Sequence, residues 1–278
     1  MSARRVFILT LLAMLAFAGN SLLCRGAFHA SRIDAAGFTS IRIVAGTLAL
    51  WLIVGIRGGE TAPLGNWPSA LALFVYAAAF SFAYVSLSAA TGALLLFGAV
   101  QATMIGVGLW RGERLLGWQI VGLAFALCGL IGLLLPGLSA PPLRGAALML
   151  AAGVAWGVYS LRGKGAGDPL RTTAGNFLRS AVFAALLSLA LVSRLSLDAV
   201  GVACAIASGA LTSGVGYAIW YAALPGLKAT SAATVQLSVP IIAAVGGVVL
   251  LGEPPTLRLL LASVAILGGI AMVIRSSR

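Results

Sequence analysis

The residues of this chain that could engage a ligand are aromatic, amide and hydroxyl side chains set into otherwise apolar runs. Phe17, Asn20 and Ser21 recur 139 positions later as Trp156, Tyr159 and Ser160. The spacing i, i+3, i+4 puts each trio on one face of a helix. Phe80 and Tyr84 share a face by the same rule, as do Ser213, Tyr217 and Trp220; Gln101 and Gln236 stand singly in their runs. Flat rings offer stacking area, and amides and hydroxyls offer a few directed hydrogen bonds. Together they suit the holding of a small organic molecule. Plainer uses compete. Tyr and Trp also form interfacial belts, which fits Trp51, Trp67, Trp110 and Trp118 near run ends. The two glutamines could equally hydrogen-bond across helices, an interaction of about 0.6 kcal/mol on average.

Groups for bond-making chemistry are missing. No HExxH motif, no paired aspartates and no serine with a histidine fall inside an apolar run, so no catalytic residue is assigned. His29 is the single histidine and is expected in a loop. Cys24, Cys128 and Cys204 are too far apart for a metal or disulfide framework and read as small hydrophobes. No cofactor and no metal are expected. The six acids, Asp34, Glu60, Glu113, Asp168, Asp198 and Glu253, all fall at run ends or between runs.

The elements that position these groups follow from composition. Of 278 residues, 61% are hydrophobic and only 9% charged, with a mean hydropathy of +1.08. Soluble domains carry about 25% charged residues. The chain is an integral membrane protein, all α-helical, and no soluble domain fits between its spans. The net charge of +12 reads as Lys and Arg in short cytoplasmic loops. The charges are scattered singly, so no nucleic-acid partner is implied.

Ten runs reach the roughly 20 apolar residues a membrane helix needs. They cover approximately 6–24, 36–56, 67–88, 91–110, 115–135, 144–161, 174–193, 198–222, 229–251 and 256–274. The first resembles a cleavable signal peptide, but its match to the sixth favours a retained helix. The link between the third and fourth, around Ser88–Gly92, is short and uncharged and implies a tight antiparallel pair. Arg42 and Arg179 lie near the starts of the second and seventh runs, where a long side chain can snorkel to the interface; the alternative is a fixed charge facing an internal path. Pro240 interrupts the ninth run and reads as a static bend. Gly153 and Gly157 form a GxxxG pattern that allows close helix contact.

The two halves repeat. Gly112-Glu113 and Gly252-Glu253 end runs 140 positions apart, and LCGLIG at 127–132 falls on LGGIAM at 267–272. This gives one five-helix unit at 1–138 and a second at 139–278. Five crossings is an odd number, so the second unit is inverted in the bilayer. With the N-terminus inside, 11 Lys and Arg fall on the inner side and 5 on the outer, which places both termini in the cytoplasm. Glu113 and Glu253 then lie on opposite faces, where they end helices and tie the turns that follow.

These features together resemble the drug/metabolite transporter superfamily, in its ten-helix, EamA-type form. The resemblance spans nearly the whole chain and rests on the two Gly-Glu endings, Arg42 and Arg179, and Ala155-Trp156-Gly157 opening the second half. It implies a bacterial inner-membrane exporter or exchanger of small organic metabolites, amino-acid-like or drug-like, working by alternating access. It also implies a central cavity lined by helices one, three, four, six, eight and nine. Small four-helix members of the superfamily carry a glutamate in helix one; here Asn20 and Ser21 stand in that helix and no acid does. That departure favours facilitated export or exchange over carboxylate-driven antiport. The partners implied are a small solute and the lipid bilayer, and a monomer is compatible with the sequence. The competing reading is a lipid-handling or sensory membrane protein.

Overall fold

The computed structural model describes residues 2–58, 64–112, 117–137, 140–163, 167–227, 232 and 235–275. Glu60, Glu113, Arg114, Lys164 and Lys228 fall outside them, so the expectation for Glu113 is not addressed.

Ten helices run through the described residues: α1 Ala3–Ala30, α2 Ala35–Arg57, α3 Trp67–Tyr84, α4 Ala89–Trp110, α5 Gly117–Leu134, α6 Leu143–Arg162, α7 Pro169–Ala190, α8 Ala199–Gly226, α9 Ser238–Leu251 and α10 Leu257–Arg275. All but α9 are long and apolar enough to cross a membrane. With no water in the hydrocarbon layer, a helix is the one open-chain form that satisfies its own backbone there. Large apolar side chains face outward along the bundle, among them Leu48, Leu52 and Ile56 on α2 and Val249 and Leu250 on α9.

Most of the described acids serve the helix starts. Asp34 accepts from the backbone N–H of Ala36 and Gly37, Asp168 from Leu170 and Arg171, and Asp198 from Gly201. A carboxylate there takes up otherwise unpaired N–H groups and meets the positive end of the helix dipole. Asp198 also accepts from the Arg32 N–H, which ties the start of α8 to the chain leaving α1. These backbone donors hold its carboxyl below the ordinary aspartate value.

Helix α5 packs chiefly on α10, and α2 packs on α7. Helix α6 contacts both α3 and α4, whereas α1 contacts α8, α9 and, less extensively, α4. The expected tight α3–α4 pair does not form. The two helices diverge from their four-residue link, and α6 lies against each of them instead. Gly153 and Gly157 permit that approach: a Cβ on Gly153 would meet the Leu96 carbonyl at 2.6 Å, and one on Gly157 would meet Thr103 at 2.8 Å.

Two further expectations change. Helix α7 begins at Pro169 rather than near 174. His29 lies in the last turn of α1, not in a loop. Pro240 sits in the first turn of α9; residues 235 and 236 ahead of it are helical and a turn at Leu237 parts them from α9, so the ninth run is interrupted just before the proline, whose missing N–H leaves the carbonyl of residue 236 without a helical donor. The middle of α8, Ser208–Val215, is wound as a π-helix and packs against α2. A Cβ on Gly209 would collide with the Arg42 carbonyl, so only glycine fits this contact.

Candidate functional site

Between the helices lies a cavity of about 480 Å³. Residues of α1, α3, α4, α6, α7 and α8 line it, with Ala232 and Gln236 ahead of α9. Of the side chains singled out from the sequence, Phe17, Asn20, Ser21, Phe80, Gln101, Trp156, Tyr159, Ser160, Ser213, Tyr217, Trp220 and Gln236 all reach this space. Tyr84 does not. It is fully buried one turn beyond Phe80, meets that ring edge-on at 4.7 Å, and donates to the Ala89 carbonyl at 3.3 Å.

The aromatic wall is continuous. Trp156 stacks on Tyr217 at 5.4 Å and 17° and on Tyr159 at 5.4 Å and 29°. Its third neighbour is Tyr76, at 4.8 Å. Phe17 leans on Tyr217 at 5.8 Å and Trp220 at 6.0 Å. The tryptophans thus divide by environment: Trp156 and Trp220 line the cavity, whereas Trp67, Trp110 and Trp118 are exposed on the outside of the bundle.

Asn20 is the polar centre. Its Nδ2 donates to Tyr76 Oη at 3.2 Å, and its Oδ1 accepts from Ser208 at 2.6 Å and Thr212 at 3.4 Å. A second group comes from α7: Thr173 lies 3.1 Å from Tyr221 Oη and accepts from Tyr159 Oη at 3.4 Å, and Asn176 donates to Tyr159 Oη. Hydropathy misses Thr172 and Thr173 because residues 162–173 read as a linker. The signal is in Thr172, Thr173 and Asn176, whose spacing puts polar groups on one helical face. Tyr76, on the same face as Phe80, is likewise absent from the residues expected at the site.

The two ends of the cavity differ. Asn66, Arg162 and Gly163 belong to the lining and are exposed, so the space meets the surface there. Arg162 donates to Ser69 Oγ at 3.1 Å and Asn66 Oδ1 at 3.2 Å. This mouth is on the face where α1 begins. One turn beyond Ser21 and Phe80 the opposite end is closed. Arg25 pairs with Glu253 at 2.9 Å and donates to the Tyr84 carbonyl at 3.3 Å, while Glu253 accepts from the Ala89 N–H at 2.8 Å. Glu253 therefore does more than end α9: it joins α9, α1 and the start of α4.

Residues 143–275 match the EamA-like transporter family. Over 99% of its length the chain is 58% identical to an uncharacterized protein of Pseudomonas aeruginosa, 96% of which is covered. The chain belongs to the EamA-like transporter family. A solved structure, described as the crystal structure of a protein, superposes at a TM-score of 0.68 with 19% identity, covering 98% of this chain and 96% of the other. At that identity the likeness concerns the fold. Membership makes this EamA-like protein a multi-pass membrane transporter of small solutes rather than an enzyme. Among the described residues, no three His, Cys, Asp or Glu side chains gather where a metal could sit.

The paired arginines of this EamA-like chain have different surroundings. Arg179 reaches the Leu64 carbonyl at 2.9 Å, near the end of the bundle, as a snorkelling side chain would. Arg42 turns inward instead and is 2% exposed. Its Nη2 donates to Tyr76 Oη at 3.1 Å, and its guanidinium lies 4.8 Å from the Phe80 ring centre and 5.2 Å from that of Tyr76. The snorkelling expectation fails for Arg42 because a hydroxyl and two ring faces on α3 offer it an interior site.

Proposed function

We propose that this chain is a secondary transporter that exports or exchanges small organic solutes, amino-acid-like or drug-like, by alternating access through the central cavity. The observation that carries this reading is the asymmetry of the cavity. It is walled by aromatic and amide groups, open on the face where the chain begins, and closed on the other by Arg25 and Glu253. A binding space reachable from one side, with a breakable polar closure on the other, is what a carrier between two states requires.

The helix pairing supports a duplicated unit at 1–138 and 139–278. Helix α2 meets α7 and α5 meets α10, while α3 and α4 meet α6 as α8 and α9 meet α1. Each of these contacts has a partner when the halves are exchanged, as a duplicated unit would give. In the orientation given by the Lys and Arg distribution, both termini lie in the cytoplasm of a bacterial inner membrane and the cavity opens inward. No acid is among the described residues lining the cavity, which favours facilitated export or exchange.

The test is flux in liposomes containing the purified protein, using amino acids, aromatic carboxylates, nucleosides and amphiphilic cations. The reading expects at least one class to exchange across the bilayer faster than in protein-free vesicles. A folded, monodisperse protein that leaves all of them impermeant would refute it.

A further inference from the structure

We propose that the cavity selects solutes bearing a carboxylate or similar small anionic group, held at its closed end by Asn20, Tyr76 and Ser213 under the field of the buried Arg42. The inference rests on the transport reading and adds the sign of the charge that the site prefers.

Charge balance is the first support. Among the described lining residues Arg162 is the one charged side chain, and it is a cation. Arg42 stands directly behind two wall rings, Tyr76 and Phe80. Neither ion pair found among the described residues involves it: those are Arg25 with Glu253 and Arg57 with Asp168. Of the other described acids, Asp34 and Asp198 are bound to helix starts. A buried cation with no counter-charge is costly. An anion in the adjoining space would relieve that cost, and a cation there would increase it. Aromatic walls ordinarily attract cations, but the Tyr76 and Phe80 faces already hold the guanidinium.

Hydrogen-bond supply is the second support, and it is independent of charge. Tyr76 Oη accepts from both Asn20 Nδ2 and Arg42 Nη2, so its own proton remains to be donated. Ser213 Oγ lines the cavity, is buried, and has no partner; Arg42 Nη1 has none either. Asn20 already accepts from two hydroxyls through Oδ1. The closed end thus has donors in excess of acceptors. Buried donors left unpaired are unfavourable, and an oxyanion is the complement that takes several at once.

The test uses three probes of one shape: 3-phenylpropanoate, 3-phenylpropanamide and 3-phenylpropylamine. Binding to the purified full-length protein at pH 7 is followed by the fluorescence of the cavity tryptophans. Charge-assisted hydrogen bonds exceed neutral ones by enough to predict a carboxylate preference over the amide of roughly tenfold, with the amine weakest. In Arg42→Gln the carboxylate-to-amide ratio should fall close to one, and in Arg42→Lys it should be largely kept. Ser213→Ala, which removes a donor without touching charge, should lower the ratio several-fold and covers the case in which Arg42→Gln does not fold. An amide or amine that binds as tightly as the carboxylate, or a ratio that survives in folded Arg42→Gln, would overturn the proposal. Amide binding and flux without any charge preference would sink this inference alone. A folded protein that binds none of the three would count against both readings.

Discussion

Trp156 has Tyr217, Tyr159 and Tyr76 around it, so removing its indole takes away stacking surface from several directions. An aromatic pair contributes about 0.5–1.5 kcal/mol beyond burial, which corresponds to roughly two- to tenfold in affinity. Trp156→Ala and Tyr217→Ala are each expected to weaken solute binding by that factor, read as the concentration giving half-maximal flux. Unchanged transport in both variants would remove the aromatic cavity from the mechanism. Gly209 tests a different property. Alanine there would force the π-wound part of α8 away from the Arg42 backbone. Overpacking of this kind costs about 1–3 kcal/mol, so Gly209→Ala should melt earlier than the parent protein. An unchanged melting point would show that the two backbones do not lie this close.

Among the elements, the junction of α1, α4 and α9 is the one whose strength bears on movement. The Arg25–Glu253 pair is largely shielded, and Glu253 also accepts from the start of α4. Hydrogen bonds to charged groups contribute about 1.5–3 kcal/mol. Glu253→Gln should therefore loosen the closed end by an amount in that range, measured as a coupling energy with Arg25→Ala in a double-mutant cycle of thermal stability. Additive effects of the two substitutions would mean that the pair closes nothing. A pH effect belongs to the start of α8. Donors from Arg32 and Gly201 depress the Asp198 carboxyl, so its stabilising contribution is present above the ordinary aspartate value and is lost as pH falls through the folded-state value. Asp198→Asn should flatten the acid limb of the melting profile, and an unaltered limb would contradict this.

The elements also differ in how plainly the amino-acid sequence announces them. The helices are legible because a long apolar run in a bilayer has one way to satisfy its backbone. The start of α7 is not: Arg171, Thr172 and Thr173 look like linker, yet Thr172 and Thr173 line the cavity with Asn176 one turn on. Periodicity finds the right face of α3 but not its depth. Tyr76, Phe80 and Tyr84 share that face, and the cavity ends between Phe80 and Tyr84. Whether Arg42 snorkels or turns inward depends on Tyr76, a partner on another helix that spacing within α2 does not reveal. The π-winding of α8 leaves no mark in hydropathy.

On the scale of the whole molecule, the proposed scheme of ten crossings with both ends on one side makes a topological prediction. Reporters fused to either terminus should both be active in the cytoplasm, and ends mapped to opposite faces would undo the paired five-helix scheme. The central claim is that the cavity is an aqueous path exposed to one face at a time. It can be tested by replacing Cys24, Cys128 and Cys204 with serine and placing a single cysteine at Ser21, deep in the lining. A membrane-impermeant thiol reagent should modify it from the face where the chain begins. From the other face it should do so only during solute exchange or after Glu253→Gln. Reaction with a lipid-soluble maleimide but with no impermeant reagent from either face would contradict the account and favour a site that opens to lipid.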